Sequence, residues 1–75
     1  MPSHAWRPDP TTDRAAPDVL AAYDAAQRKG GAPVDCYRAG IDAWLYTYPD
    51  QTPTYAARQA LEVILKAKSR IRELV

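Results

Sequence analysis

One cysteine, Cys36, and one histidine, His4, are all this sequence holds of the residue types that build disulfides and zinc centres. No internal disulfide can form, and a zinc site would have to recruit carboxylates or a second chain. No cofactor is expected. Glycine occurs three times, and Gly30-Gly31 is not set in a phosphate-cradling loop. Neither Gly-x-Ser-x-Gly nor His-Glu-x-x-His is present. The longest apolar run, Val19 to Tyr23, has five residues, whereas a bilayer span needs about 20. The opening residues, Met-Pro-Ser-His-Ala-Trp, do not run from a basic stretch into an apolar one, so no secretory leader is expected. Together with the lone cysteine, this gives a cytoplasmic expectation with no membrane partner. An excess of one charge sign is missing too. Ten Lys and Arg face nine Asp and Glu, for a net charge of +1. That excludes a polycationic tail, an acidic tail and a chain held open by self-repulsion.

Phenylalanine is absent, and alanine supplies 14 of the 35 apolar residues in a chain of 75. Val, Ile, Leu and Met together number 13, with two Trp and five Tyr adding bulk. The length allows one domain. Its core is thin, and one core of this size supplies about 3–5 kcal/mol of net stability.

Four of the seven prolines fall within residues 1–17, and Pro8-Asp9-Pro10 biases the chain away from helix. Residues 1–16 read as an irregular arm. Trp6 within it folds back over the thin core, anchors a partner, or is simply disordered. Residues 17–75 read as one all-α domain, a compact three-helix bundle. The first helix is expected over 17–29, with Pro17 in the first turn, Asp18 at the positive end and Gly30 as the stop. Its stripe is Val19, Leu20, Tyr23 and Ala26. The second is expected over 33–48 and ends at Pro49. On a helical wheel Val34, Tyr37, Ile41, Trp44, Leu45 and Tyr48 share its buried face. The third is expected over 52–74, opened by Thr52-Pro53. Its apolar face is Ala57, Ala60, Leu61, Ile64, Ala67, Ile71 and Val75, widened by Val63, Leu65 and Leu74. Arg58, Glu62, Lys66 and Arg70 form the opposite, solvated face, where Glu62 and Lys66 are spaced to pair. No stretch alternates at period two for long enough to be a strand.

Two features exceed what a minimal bundle requires. Opposite the bulky stripe of the second helix lies a small-residue strip of Cys36, Ala39, Gly40, Ala43 and Thr47, with Tyr46 beside it. Glycine inside a helix costs about 1 kcal/mol against alanine, so Gly40 needs a close neighbour: another helix of this chain, or a partner. At the end of the third helix, Lys68 falls on the apolar face and Arg72 at its edge. Lysine is almost never fully buried without a partner. Its stem either snorkels outward, or Lys68, Ile71, Arg72 and Leu74 form an apolar, cationic tip suited to an acidic partner.

Catalysis has little support. Asp35, Cys36, Arg38 and Asp42 are neighbours on one helix, but no histidine stands within local reach of Cys36. No small-molecule substrate is expected. The reading carried forward is a small, non-enzymatic protein–protein interaction module: an adaptor, regulator, subunit or small inhibitor. Its surfaces are the strip Cys36, Ala39, Gly40, Ala43, Tyr46 and Thr47, and the tip Lys68, Ile71, Arg72 and Leu74. The partner is another protein or a second copy of the chain. A second reading is a helix-turn-helix-like regulator that presents Thr54, Tyr55, Arg58 and Gln59 to nucleic acid, with Lys66 and Arg70 on phosphates. A third is a structural subunit stable only as a homo-oligomer.

Overall fold

A computed structural model of the chain describes residues 9–74, with side chains described as far as Arg70. A short 3-10 turn at Pro10–Thr12 leads into α1 (Ala16–Arg28), α2 (Pro33–Thr47) and α3 (Pro53–Leu74). The described residues contain no strand. The three helices pack on one another as a three-helix bundle, with the longest shared surface between α1 and α2.

The chain enters this bundle earlier than its prolines suggest. Asp9 caps the 3-10 turn: its Oδ1 accepts from the Thr11 amide at 3.0 Å and the Thr11 hydroxyl at 2.7 Å. Pro10 is buried, and the turn rests against α3. The Asp13 carboxylate then accepts from the Ala15 amide at 2.9 Å and from the Tyr48 hydroxyl at 2.8 Å. One side chain thereby satisfies an amide just ahead of α1 and ties it to the end of α2. The Arg14 guanidinium lies 5.5 Å from the Tyr48 ring centre. Residues 9–15 are therefore held by local caps and by all three helices, not left as an arm. Trp6 lies outside the described residues.

α1 ends where the glycine predicts. Gly30 has φ of +81°, its amide donates to the Gln27 carbonyl at 2.9 Å, and the Gly31 amide donates to Ala26 at 3.0 Å. This pair of bonds is the Schellman arrangement, in which a left-handed residue closes the last turn. Pro33 opens α2 two residues later. At its far end the Tyr48 amide still donates to Trp44, and Pro49 stops the helix. The Thr52 hydroxyl accepts from the Tyr55 amide at 3.2 Å and caps α3. α3 runs without a break through Ser69.

The core is small side chains around one large one. Ala15, Ala16, Val19 and Tyr23 come from α1, Cys36 and Trp44 from α2, and Ala56, Ala60, Val63 and Ile64 from α3. Trp44 is 2% exposed, its Nε1 donates to the Gln51 side chain at 2.7 Å, and its ring sits 5.5 Å from Tyr48.

The face that α2 buries differs from the one its bulky residues mark. Its deepest residues are Cys36, Gly40 and Trp44, about a quarter turn from the centre of the Val34–Tyr48 stripe at 100° per residue. Tyr37, Ile41, Leu45 and Tyr48 pack at the margin, and Val34 is 61% exposed. The reason is close approach. A Cβ on Gly40 would stand 2.9 Å from Ile64 Cδ1 and 3.2 Å from Val19 Cγ1. α1 and α3 both reach the backbone of α2 there, and a side chain larger than a methyl has no room. α3 is rotated similarly, by roughly 50° toward Ala56 and Val63, and Leu65 is left exposed.

Candidate interaction surface

Cys36 and Gly40, expected on a partner surface, are inside the fold. Cys36 is 2% exposed and its thiol points to the Gly31 carbonyl at 3.6 Å. Ala39, Ala43 and Thr47 are half-buried beside them. At Cys36 and Gly40 the small strip is the packing surface for α1 and α3, and no partner is needed to account for those two residues. Tyr46, the last member of that set, stands clear of it and is 90% exposed.

Lys68 is engaged within the chain. Its ammonium donates to the hydroxyls of Tyr23 at 3.0 Å and Tyr37 at 3.2 Å, and stands 5.4–5.5 Å from both ring centres. The rings are 5.3 Å apart and tilted, and Gln27 donates to the Tyr23 hydroxyl at 3.3 Å. One cation on α3 thus fastens α1 to α2 at the rim of the core. Acceptance by Tyr23, then by Tyr37, holds Lys68 above the ordinary lysine value of 10.5, against a smaller opposing loss of hydration. A folded-state value raised above the unfolded one gives stability that is complete below the unfolded value. It fades as pH rises through the folded one. Lys68→Met keeps most of the stem and removes the charge. Its melting temperature is expected to lie below wild type by a constant margin from pH 6 to about pH 10, and to converge above that. A margin unchanged at pH 11 would assign the loss to packing instead. Ile71, Arg72 and Leu74 continue the helix in backbone, and their side chains lie outside the described residues.

The nucleic-acid candidates are dispersed. Thr54, Tyr55 and Arg58 are exposed on the first turns of α3, and Gln59 is half-buried. Lys66 and Arg70 are exposed on later turns of the helix, near enough to Asp9 to favour its ionised form. That carboxyl lies below its ordinary value of 3.8, first because the Thr11 hydroxyl donates to it, then through the Thr11 amide. Of the cations of α3, Arg58 and Lys66 flank one outward depression, Lys66 and Arg70 stand near Asp9, and Lys68 lies between two tyrosines.

Two outward faces remain. On α3, Arg58, Leu61, Glu62, Leu65, Lys66 and Ser69 line a shallow, largely apolar depression. Leu65 is 54% exposed at its centre. Glu62 and Lys66 are not closed into an ion pair; among the described residues the ion pair formed is Arg28 with Asp24 on α1. On α2, Val34, Arg38, Asp42 and Tyr46 follow at intervals of four, all exposed, with Asp35 alongside. Sequence reasoning placed Leu65 on the buried side. No sequence signal separates it from Val63, which also adjoins Ile64 and is buried.

Charge divides along the chain. All seven aspartates lie in residues 9–51 beside four cations, for a net −3, whereas residues 52–75 carry five cations and two glutamates, for +3. Among the described residues no three His, Cys, Asp or Glu stand together as a metal site, and no helix is long and apolar enough to cross a membrane. Compared with known proteins, the chain matches no family model, no curated protein and no solved structure.

Proposed function

We propose that this chain is a small protein-interaction module, without catalysis of its own, that engages its partner along the outward face of α3. The observation that carries the reading is the depression around Leu65. Half-buried Leu61 and exposed Leu65 form a short apolar row, framed by Arg58, Glu62 and Lys66. Leu65, 54% exposed mid-helix, joins Leu61 in an apolar depression that another molecule would cover. An apolar centre with a charged rim is the usual anatomy of such contacts. A nucleic-acid role draws less support, because phosphate binding rewards cations gathered in one stripe, whereas Glu62 stands between Arg58 and Lys66 and Lys68 is engaged by two tyrosines.

A photo-crosslinking amino acid at position 65, incorporated in the cell that makes the protein, tests this reading. A discrete crosslinked protein is expected from position 65 and none from position 21, an exposed alanine on α1. No adduct from position 65, or the same adducts from both positions, would refute it.

A further inference from the structure

We propose that the partner of the α3 face is a second copy of this chain, docked by the outward face of its α2. This rests on the reading of α3 just given and names its occupant. The two faces carry opposite charge patterns of matching length. Along α2, Asp35, Arg38 and Asp42 run negative, positive, negative over seven residues, about 10.5 Å of helix. Along α3, Arg58, Glu62 and Lys66 run positive, negative, positive over eight residues, about 12 Å. Laid side by side, each charge meets its opposite, and the alternation lets the helices run in either relative direction. Apolar groups fill the gaps: Leu61 and Leu65 on α3, Val34 and Tyr46 on α2. Tyr46, 90% exposed, is the residue type most enriched at the energetic centre of interfaces.

The same patterns disfavour the alternatives. Two α2 faces brought together about a two-fold axis set aspartate on aspartate and Arg38 on Arg38. Two α3 faces set Arg58 against Lys66 and Glu62 on Glu62. Like charges in register cost energy, and a like pairing shifted by one charge satisfies only two of the three charges on each face, so the pairing that satisfies all three is heterologous, α2 on α3. A heterologous contact leaves one free face at each end and can add further copies. An anionic membrane fits the α3 face less well, since two leucines with Glu62 between the cations fall short of the two strong signals stable anchoring takes. The contact spans a few turns of each helix, so association is expected to be weak and reversible, below the size of a permanent interface.

Light scattering behind size exclusion, from about 10 µM to 1 mM in 20 mM and 500 mM salt, reads the outcome directly. At low salt the mass is expected to rise with concentration from the 8.3 kDa of one chain past that of two, and to return toward one at high salt. Asp35→Asn/Asp42→Asn disables the α2 face and Arg58→Gln/Lys66→Gln the α3 face, each leaving the other intact. Each variant alone is expected to stay monomeric. Mixed one to one, they are expected to form a pair that stops at two chains, because the only intact faces left meet once. Circular dichroism confirms that both variants remain folded. A wild type that stays monomeric at every concentration and salt overturns the proposal, as do variants that still self-associate alone. The reading of α3 as an interaction face falls if position 65 crosslinks nothing, or only what position 21 crosslinks. An adduct to a different protein keeps that reading and removes this one.

Discussion

Trp44→Ala is expected to abolish the folded state at room temperature. The indole is the largest buried side chain and 2% exposed. Truncating such a residue costs about 3–5 kcal/mol in lost transfer energy and cavity. One core of this size supplies about the same. The loss extends beyond the ring: the Gln51 side-chain oxygen loses its 2.7 Å donor, and Tyr48 loses the ring it packs on at 5.5 Å. Tyr48 in turn donates to Asp13, so the damage reaches the start of α1. Far-ultraviolet circular dichroism against temperature is the measurement, with the cooperative transition expected to vanish. Trp44→Phe keeps most of the volume and leaves Gln51 unpaired, for about 1–3 kcal/mol. At about 4–8 °C per kcal/mol, that lowers a surviving melt by several degrees or more. An alanine variant that melts cooperatively within a few degrees of wild type would show that the core is centred elsewhere.

Gly40→Leu is expected to be nearly as damaging, for the opposite reason. The first carbon added already stands 2.9 Å from Ile64 Cδ1, 3.2 Å from Val19 Cγ1 and 3.5 Å from the Val19 carbonyl. Val19 and Ile64 are both fully buried, so neither has space to retreat. Overpacking costs about 1–3 kcal/mol when a single site can adjust, and here two helices must move apart. The expected readout is a urea midpoint shifted far downward, or no folded baseline. Gly40→Ala separates the effects: helix propensity returns about 1 kcal/mol while the methyl pushes the Ile64 tip and the Val19 methyl, leaving the midpoint close to wild type. If the leucine variant unfolds at the wild-type midpoint, Gly40 is on a surface, and the packing described for α1, α2 and α3 is wrong.

These two positions also show what a sequence discloses and what it hides. The helices are legible because their ends are chemical: Pro17, Gly30, Pro33, Pro49 and Thr52-Pro53 each fix a boundary to within a residue or so. The buried face of α2 is not legible from hydrophobic pattern, because close packing selects small residues. A wheel that weights side chains by size points at Val34 and Ile41, while the true contact is Gly40 and Cys36. The turn at Pro10–Thr12 was legible in principle. Asp9-Pro10 is the same cap-then-proline signal as Thr52-Pro53, masked by its proline-rich surroundings. Lys68 on an apolar face announces a conflict but not its resolution. The two tyrosines that accept from it lie 45 and 31 residues earlier, on separate helices. Leu65, the centre of the proposed contact, becomes visible only once Ala56, Ala60, Val63 and Ile64 are seen to take the inward direction.

The Schellman turn at Gly30 has a consequence for how the molecule assembles. α1 and α2 meet across four residues, with the reversal locked by backbone bonds that need nothing from α3. Closing so short a loop costs little chain entropy, so the α1–α2 hairpin is the natural nucleus. α3 adds its alanine face afterwards, and Lys68 fastens only when both tyrosines are already in place. The order reverses on opening. Detachment of α3 strips cover from Gly40 and Val19 while leaving the hairpin joined, a sub-global excursion that costs less than full unfolding. Amide protons of α3 would then exchange with solvent through that detachment, sooner than those of the hairpin it leaves behind.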